Sequence, residues 1–180
     1  MADESAEIAQ GLRRRDPDLL DRLIEQYQHR LLRYLVHLTG RRELAEDLFQ
    51  ETWVRVLERG RQYDGRRDFT AWLFTIARNL FIDQQRRRQV PSEDPADPDT
   101  AAARQPSALE LAMQHEQSER ILAGMERLSA EYREALSLRF QEGMSLEEIA
   151  GVTGAPLGTV KSRIYRGLSA LEPWLKGAGL

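Results

Sequence analysis

Residues 145–168 read SLEEIAGVTGAPLGTVKSRIYRGL, and their order of caps, turns and polar positions decides the fold of the C-terminal part. Ser145-Leu146-Glu147-Glu148 has the form of a capping box, in which the Ser145 hydroxyl accepts from the Glu148 amide while the Glu148 carboxylate reaches back. A short helix therefore starts here, carries Ile149, Ala150 and Val152, and reaches Gly154. Pro156 suits the opening turn of a second helix, whose stripe is Val160, Ile164, Leu168 and Leu171. Two short helices joined at a glycine turn, with the small Ala150 allowing close approach, form a helix-turn-helix. On the second helix Thr159, Ser162, Arg163 and Arg166 fall at i, i+3, i+4 and i+7, with Lys161 beside them. Such a face suits a major groove, where arginine bonds guanine bidentately and the other cations hold phosphates. An ordinary amphipathic helix with a solvated basic face is the plainer alternative, against which the capping box and glycine turn both weigh.

Upstream of this motif, Ile121, Leu122, Met125 and Leu128 mark a helix. Ser129 caps another, which carries Tyr132, Ala135, Leu136 and Phe140 and stops at Gly143. The C-terminal domain, 113–180, is thus expected to hold four helices. Further back, PSEDPADPDTAAARQPS from Pro91 to Ser107 contains four of the seven prolines, many acids and no large apolar residue. This reads as a flexible, acidic, proline-rich linker over 91–112 rather than a long surface loop, because structureless segments of that length are uncommon inside compact folds.

The N-terminal part, 1–90, is helical throughout. Leu20, Leu23, Ile24, Tyr27, Leu31, Leu35 and Leu38 make one stripe that ends at Gly40. Ala45, Leu48, Phe49, Thr52, Trp53 and Val56 make a second, with Gly60 just beyond. DFTAWLFTIARNLFIDQQRRR, from Asp68 to Arg88, opens a third helix with Trp72, Leu73, Ile76, Ala77 and Leu80 buried. With no alternating strand pattern, the fold class is all-α: two small helical domains joined by the linker.

Composition narrows the function. There are no cysteines, so disulfides, thiolate chemistry and cysteine-ligated zinc are excluded. His29, His37 and His115 fall in no metal-binding spacing, and neither a phosphate-cradling glycine loop nor a histidine-carboxylate pattern is present, so no catalytic residue, metal or cofactor is expected. The formal charge of −3 argues against coating nucleic acid by bulk electrostatics, although Arg86-Arg87-Arg88 and the Lys161, Arg163, Arg166 cluster are locally basic. No apolar run reaches membrane-spanning length, and Asp3, Glu4 and Glu7 make the N-terminus acidic where a signal peptide is basic. A cytoplasmic protein without membrane insertion is expected.

Two further polar faces remain. On the third helix Asn79, Asp83 and Arg86 share a side near Phe69, Trp72 and Phe74, with Tyr63 in the preceding loop. Aromatic rings stack on unpaired bases and arginines follow phosphates, so the mixture suits single-stranded or melting DNA. Taken alone, Trp72 is more often a core residue than a stacking platform, and an arginine run at a helix end is often a dipole-favoured tail. On the second helix Asp47, Gln50, Glu51 and Arg55 face away from the stripe. By periodicity alone this is either a solvated face, with Glu51 and Arg55 paired along the helix, or a docking surface.

These residues resemble the bacterial sigma factors, specifically the short extracytoplasmic-function (ECF) group of the sigma-70 family, which retains the second and fourth conserved regions. DLFQETWVR, from Asp47 to Arg55, is similar to the segment that docks on the polymerase β′ subunit. FTAWLFTIARNLFIDQQRRR is similar to the one that opens and reads the minus-10 element, and SLEEIAGVTGAPLGTVKSRIYRGL to the one that reads the minus-35 element. The resemblance implies that Asp47, Gln50, Glu51 and Arg55 bind core RNA polymerase, a partner contributing both β′ and β subunits. It implies that Phe69, Trp72, Asn79, Asp83 and Arg86 serve the minus-10 DNA, with Asn79 holding a flipped base and the stretch before Phe69 forming the base-capturing loop. Thr159, Lys161, Ser162, Arg163 and Arg166 serve the upstream promoter duplex. Trp53 stands where many relatives have phenylalanine, which leaves the helix amphipathic. The family is commonly held inactive by an anti-sigma factor, for which helix surfaces on both domains are available. A stand-alone helix-turn-helix regulator is the main rival, but it gives no reason for the Asp47 to Arg55 face or the Asn79 segment.

Overall fold

The computed structural model describes residues 2–89 and 123–176, with side chains for 4–87 and 123–174. The expected linker, 91–112, lies outside the described residues, as do Ile121 and Leu122. Among the described residues the secondary structure is helical, and no helix is long and apolar enough to cross a membrane.

The N-terminal unit comprises α1 (Ala2–Arg14), α2 (Pro17–Thr39), α3 (Arg42–Arg59), a 3₁₀ turn (Gly60–Gln62) and α4 (Phe69–Gln89). Asp16 caps α2 by accepting from the Asp18 amide at 3.0 Å, and Gly40 ends it in a left-handed conformation, its N–H donating to Val36 O. Leu23, Tyr27, Leu31 and Leu35 of α2 are buried as the stripe requires, joined by Leu19 and Tyr34. From α3 come Ala45, Leu48, Thr52, Trp53 and Val56, and from α4 come Phe69, Leu73, Phe74, Ile76 and Ala77. Tyr34 and Phe74 meet at the centre with ring centroids 4.8 Å apart. Helix α1 was not expected from the stripes further along; it buries Ile8, Ala9 and Leu12 and packs on α2 and the 3₁₀ turn.

The C-terminal unit begins with a helical turn at 123–126, followed by α5 (Ala130–Leu136), α6 (Leu146–Thr153) and α7 (Leu157–Lys176). Its core holds Met125, Leu128, Leu136 and Leu171, flanked by Tyr132, Ile164 and Trp174. Ser129 caps α5 by accepting from the Tyr132 amide. Arg133 reaches back from α5 to the carbonyls of Met125, Glu126 and Leu128, satisfying the orphaned acceptors of the preceding turn. The capping box forms as expected: the Ser145 N–H donates to Glu148 Oε2 at 2.7 Å and the Glu148 N–H to Ser145 Oγ at 3.2 Å. The turn between α6 and α7 passes through Gly154 at φ +65°.

Two core expectations are corrected. Phe140 is 62% exposed, because α5 widens into a π turn at Ser137–Gln141 that resets the helical phase and buries Leu138 instead. Leu168 is 38% exposed, because the buried line of α7 runs through its neighbour Gly167. A Cβ at Gly167 would lie 3.0 Å from Leu136 Cδ1, so α5 and α7 close on each other where a side chain is missing.

Candidate nucleic-acid and protein interfaces

On α7 the buried Val160, Gly167 and Leu171, with the half-buried Ile164, form one line that leaves the polar face outward. Thr159, Ser162, Arg163 and Arg166 converge with Gly158, and with Glu131 and Tyr132 of α5, on one open groove. Lys161 is exposed but lies outside that groove. Arg163 is 20% exposed and its guanidinium donates to Glu131 Oε1 at 2.9 Å. Glu131 had not been foreseen, since it lies on another helix and no local spacing links it to Arg163. The pair does not lock Arg163 away. Glu131 is 64% exposed, and exposed ion pairs contribute about 0–1 kcal/mol, less than a bidentate guanine contact at about 1–3 kcal/mol.

In the N-terminal unit, Asp47, Gln50 and Glu51 of α3 are exposed. Arg55 bridges Glu51 at 3.2 Å and Glu58 at 2.9 Å, so the expected intrahelical pair forms and gains a second carboxylate. Val54 and Leu57, 49% and 46% exposed, lie among these charges. Apolar residues ringed by polar ones are the pattern of a protein interface, and the acidic ring suits a basic partner. Both lie off the inward-facing apolar stripe of α3.

Asp47, Leu48, Glu51 and Arg55 also line a groove with Leu80, Asp83, Gln84 and Arg87 of α4. Asp83, grouped by sequence with Asn79 and Arg86, thus sits beside the α3 face. Gln84 Oε1 is buried there with no hydrogen-bond partner among the described residues. Asn79 and Arg86 are exposed and stand with the half-buried Trp72 at seven-residue steps, on one side of α4.

Phe69 is 2% exposed, enclosed by Tyr27 and Tyr63 edge-on at 5.5 Å and by Trp72 at 5.7 Å. Its ring offers no stacking face and instead anchors the loop before α4. Tyr63, also buried, donates its hydroxyl proton to Arg67 O at 2.7 Å and has Ser5 beside it. Burial raises the Tyr63 phenol above its usual range, with the neighbouring Ser5 hydroxyl a smaller opposing influence, so the donor to Arg67 persists at neutral pH.

Two family models match the chain: sigma-70 region 2 over residues 23–90 and sigma-70 region 4 over residues 118–171. The ECF RNA polymerase sigma factor EcfG of Rhodopseudomonas palustris is 36% identical over 142 residues, covering 79% of this chain and 77% of that protein. The chain belongs to the ECF group of RNA polymerase sigma factors. The ECF sigma factor SigE of Mycolicibacterium smegmatis is 37% identical over 157 residues, which cover 86% of this chain and 61% of SigE. The sigma factor RpoE of Bartonella quintana, solved with the anti-sigma factor NepR, superposes with a TM-score of 0.69 at 28% identity, over 87% of this chain and 96% of that one. The relatives of this sigma factor are thus transcription initiation factors. The region 2 match begins within α2, so α1 precedes it.

Proposed function

We propose that this sigma factor docks on core RNA polymerase through the α3 face and directs it to promoters by reading two DNA elements. Val54 and Leu57 lie at the centre of the docking face, with Asp47, Gln50, Glu51 and the Arg55 network around them. The minus-10 strand is held on the Trp72, Asn79 and Arg86 side of α4, beside the loop 60–68. The minus-35 duplex is read by Thr159, Ser162, Arg163 and Arg166, with Lys161 on phosphate. One observation carries the reading: a half-exposed apolar pair within an acidic ring shares its chain with a groove suited to duplex DNA. A regulator acting alone on duplex has no use for the first of these.

The mechanism is non-enzymatic. Unpairing costs about 1–2 kcal/mol of stacking per base step, and capture of extruded bases offsets that cost at chosen sequences. Because the formal charge is −3, affinity of the free chain for duplex is low and falls with salt; polymerase supplies the remaining contacts and brings both modules to bear together. The protein acts in the cytoplasm and without a cofactor. An anti-sigma factor, such as the Bartonella relative binds, would inhibit it by covering the α3 face.

Promoter complexes with holoenzyme test the two DNA sites separately. Arg163→Ala is expected to weaken initial binding at promoters bearing a minus-35 element by about 1–3 kcal/mol, or five- to 150-fold. Asn79→Ala is expected to leave that step intact and to lower the reactivity of unpaired thymines in the minus-10 region. If both variants bind and open promoters as the parent does, the assignment of α4 and α7 is wrong.

A further inference from the structure

Helix α1 is joined to the loop 60–68 at three points. A Cβ at Gly60 would stand 3.1 Å from Leu12 Cβ, so the 3₁₀ turn lies directly on α1. At Gly65, φ is +75° and an added Cβ would lie 2.9 Å from Ser5 O and 3.3 Å from Ala6 Cα, which are backbone atoms of a helix and cannot swing aside. Between them, the buried Ser5 side chain lies beside Tyr63, whose hydroxyl proton goes to Arg67 O. The inner side of the loop is therefore pinned from Gly60 to Arg67. Its outer side carries Arg61, Gln62, Asp64, Arg66 and Arg67, all exposed. Asp64 Oδ1 accepts from the Arg66 amide, and Asp68 Oδ1 accepts from the Thr70 amide at the start of α4.

We propose that α1 is a brace for this loop, with Ser5, Tyr63 and Gly65 as positioning residues for selection of the captured minus-10 base. This rests on the reading of the loop as the base-capturing element. A site that discriminates bases must hold its polar groups in place before the base arrives, since a loop that reorganises for each base accommodates all of them. None of the three residues touches DNA; they act by fixing the exposed groups of the loop. A closed path of contacts from α1 through Ser5 and Tyr63 to Arg67 transmits that restraint.

The test uses the full chain with core polymerase and promoters carrying each base at every minus-10 position. Tyr63→Phe keeps the ring and removes the hydroxyl that bonds Arg67 O, and Ser5→Ala removes only the hydroxyl beside Tyr63; Gly65→Ala forces the loop off the helix. Each is expected to reduce the preference for the favoured base at the captured position, by about fivefold for Tyr63→Phe, the usual effect of one hydrogen bond, and by a smaller factor for Ser5→Ala. Preference across the minus-35 positions should stay as in the parent. Activity that falls equally for every base, or an unchanged preference, overturns the brace. A triple variant, Asp64→Ala with Arg66→Ala and Arg67→Ala, separates the two levels. If it flattens the preference while the Ser5 and Tyr63 variants do not, the loop reading stands and the brace fails; if it too leaves the preference intact, the loop reading itself falls.

Discussion

Val54→Asp is expected to weaken binding to core RNA polymerase by about 2–4 kcal/mol, roughly 30- to 1000-fold, without disturbing the fold. Val54 is 49% exposed, so the free protein loses little packing, and valine and aspartate have similar helix propensities. The new carboxylate sits near Asp47, Glu51 and Glu58, and like charges at helical spacing cost only about 0.2–0.5 kcal/mol in solvent. In the complex the same carboxylate would be desolvated at the apolar centre of the interface, where an unpaired charge is expensive. Titration of labelled chain with core enzyme measures the loss, and a thermal melt reports the fold. Binding within twofold of the parent would mean that polymerase docks elsewhere.

Phe74→Ala is expected to cost about 3–5 kcal/mol, a large part of the roughly 5–15 kcal/mol that holds a typical domain folded. Phe74 is fully buried and packs on Tyr34 between α2 and α4. Truncation leaves a cavity that neighbouring helices fill only in part. For a domain of this size each kcal/mol shifts the melting temperature by about 4–8 °C, so the N-terminal transition should fall by at least about 12 °C. Calorimetry of the full chain should show that fall with the C-terminal transition unchanged. A shift of a few degrees would place Phe74 outside the core.

The helices that carry the sites were legible because their apolar residues recur at three and four steps with caps and glycines at the ends. Ser145 and Glu148 announced α6, and Gly40 announced the end of α2, whereas the Asp16 cap came only with the structure. Helix α1 escaped because its buried residues are few and closely grouped, with Gly11 inside it and acids around it. Phe140 and Leu168 were misplaced for reasons invisible to a fixed period: a π turn resets the phase of one helix, and a glycine draws the other inward. The DNA-facing residues of α7 could be read from spacing alone, whereas Glu131 could not, because its partner Arg163 lies on a different helix. The same limit explains Asp83, whose place beside Glu51 depends on how α3 and α4 pack. Val54 and Leu57 carried a signal in their polar surroundings, but apolar letters are read first as core.

Run-off transcription from a promoter library, with core polymerase alone and with this protein added, tests the central claim most directly. Initiation that begins at a defined set of promoters only when the protein is present is the predicted result. If the chain binds duplex DNA by itself but core polymerase initiates no differently in its presence, the account is contradicted and a stand-alone regulator takes its place.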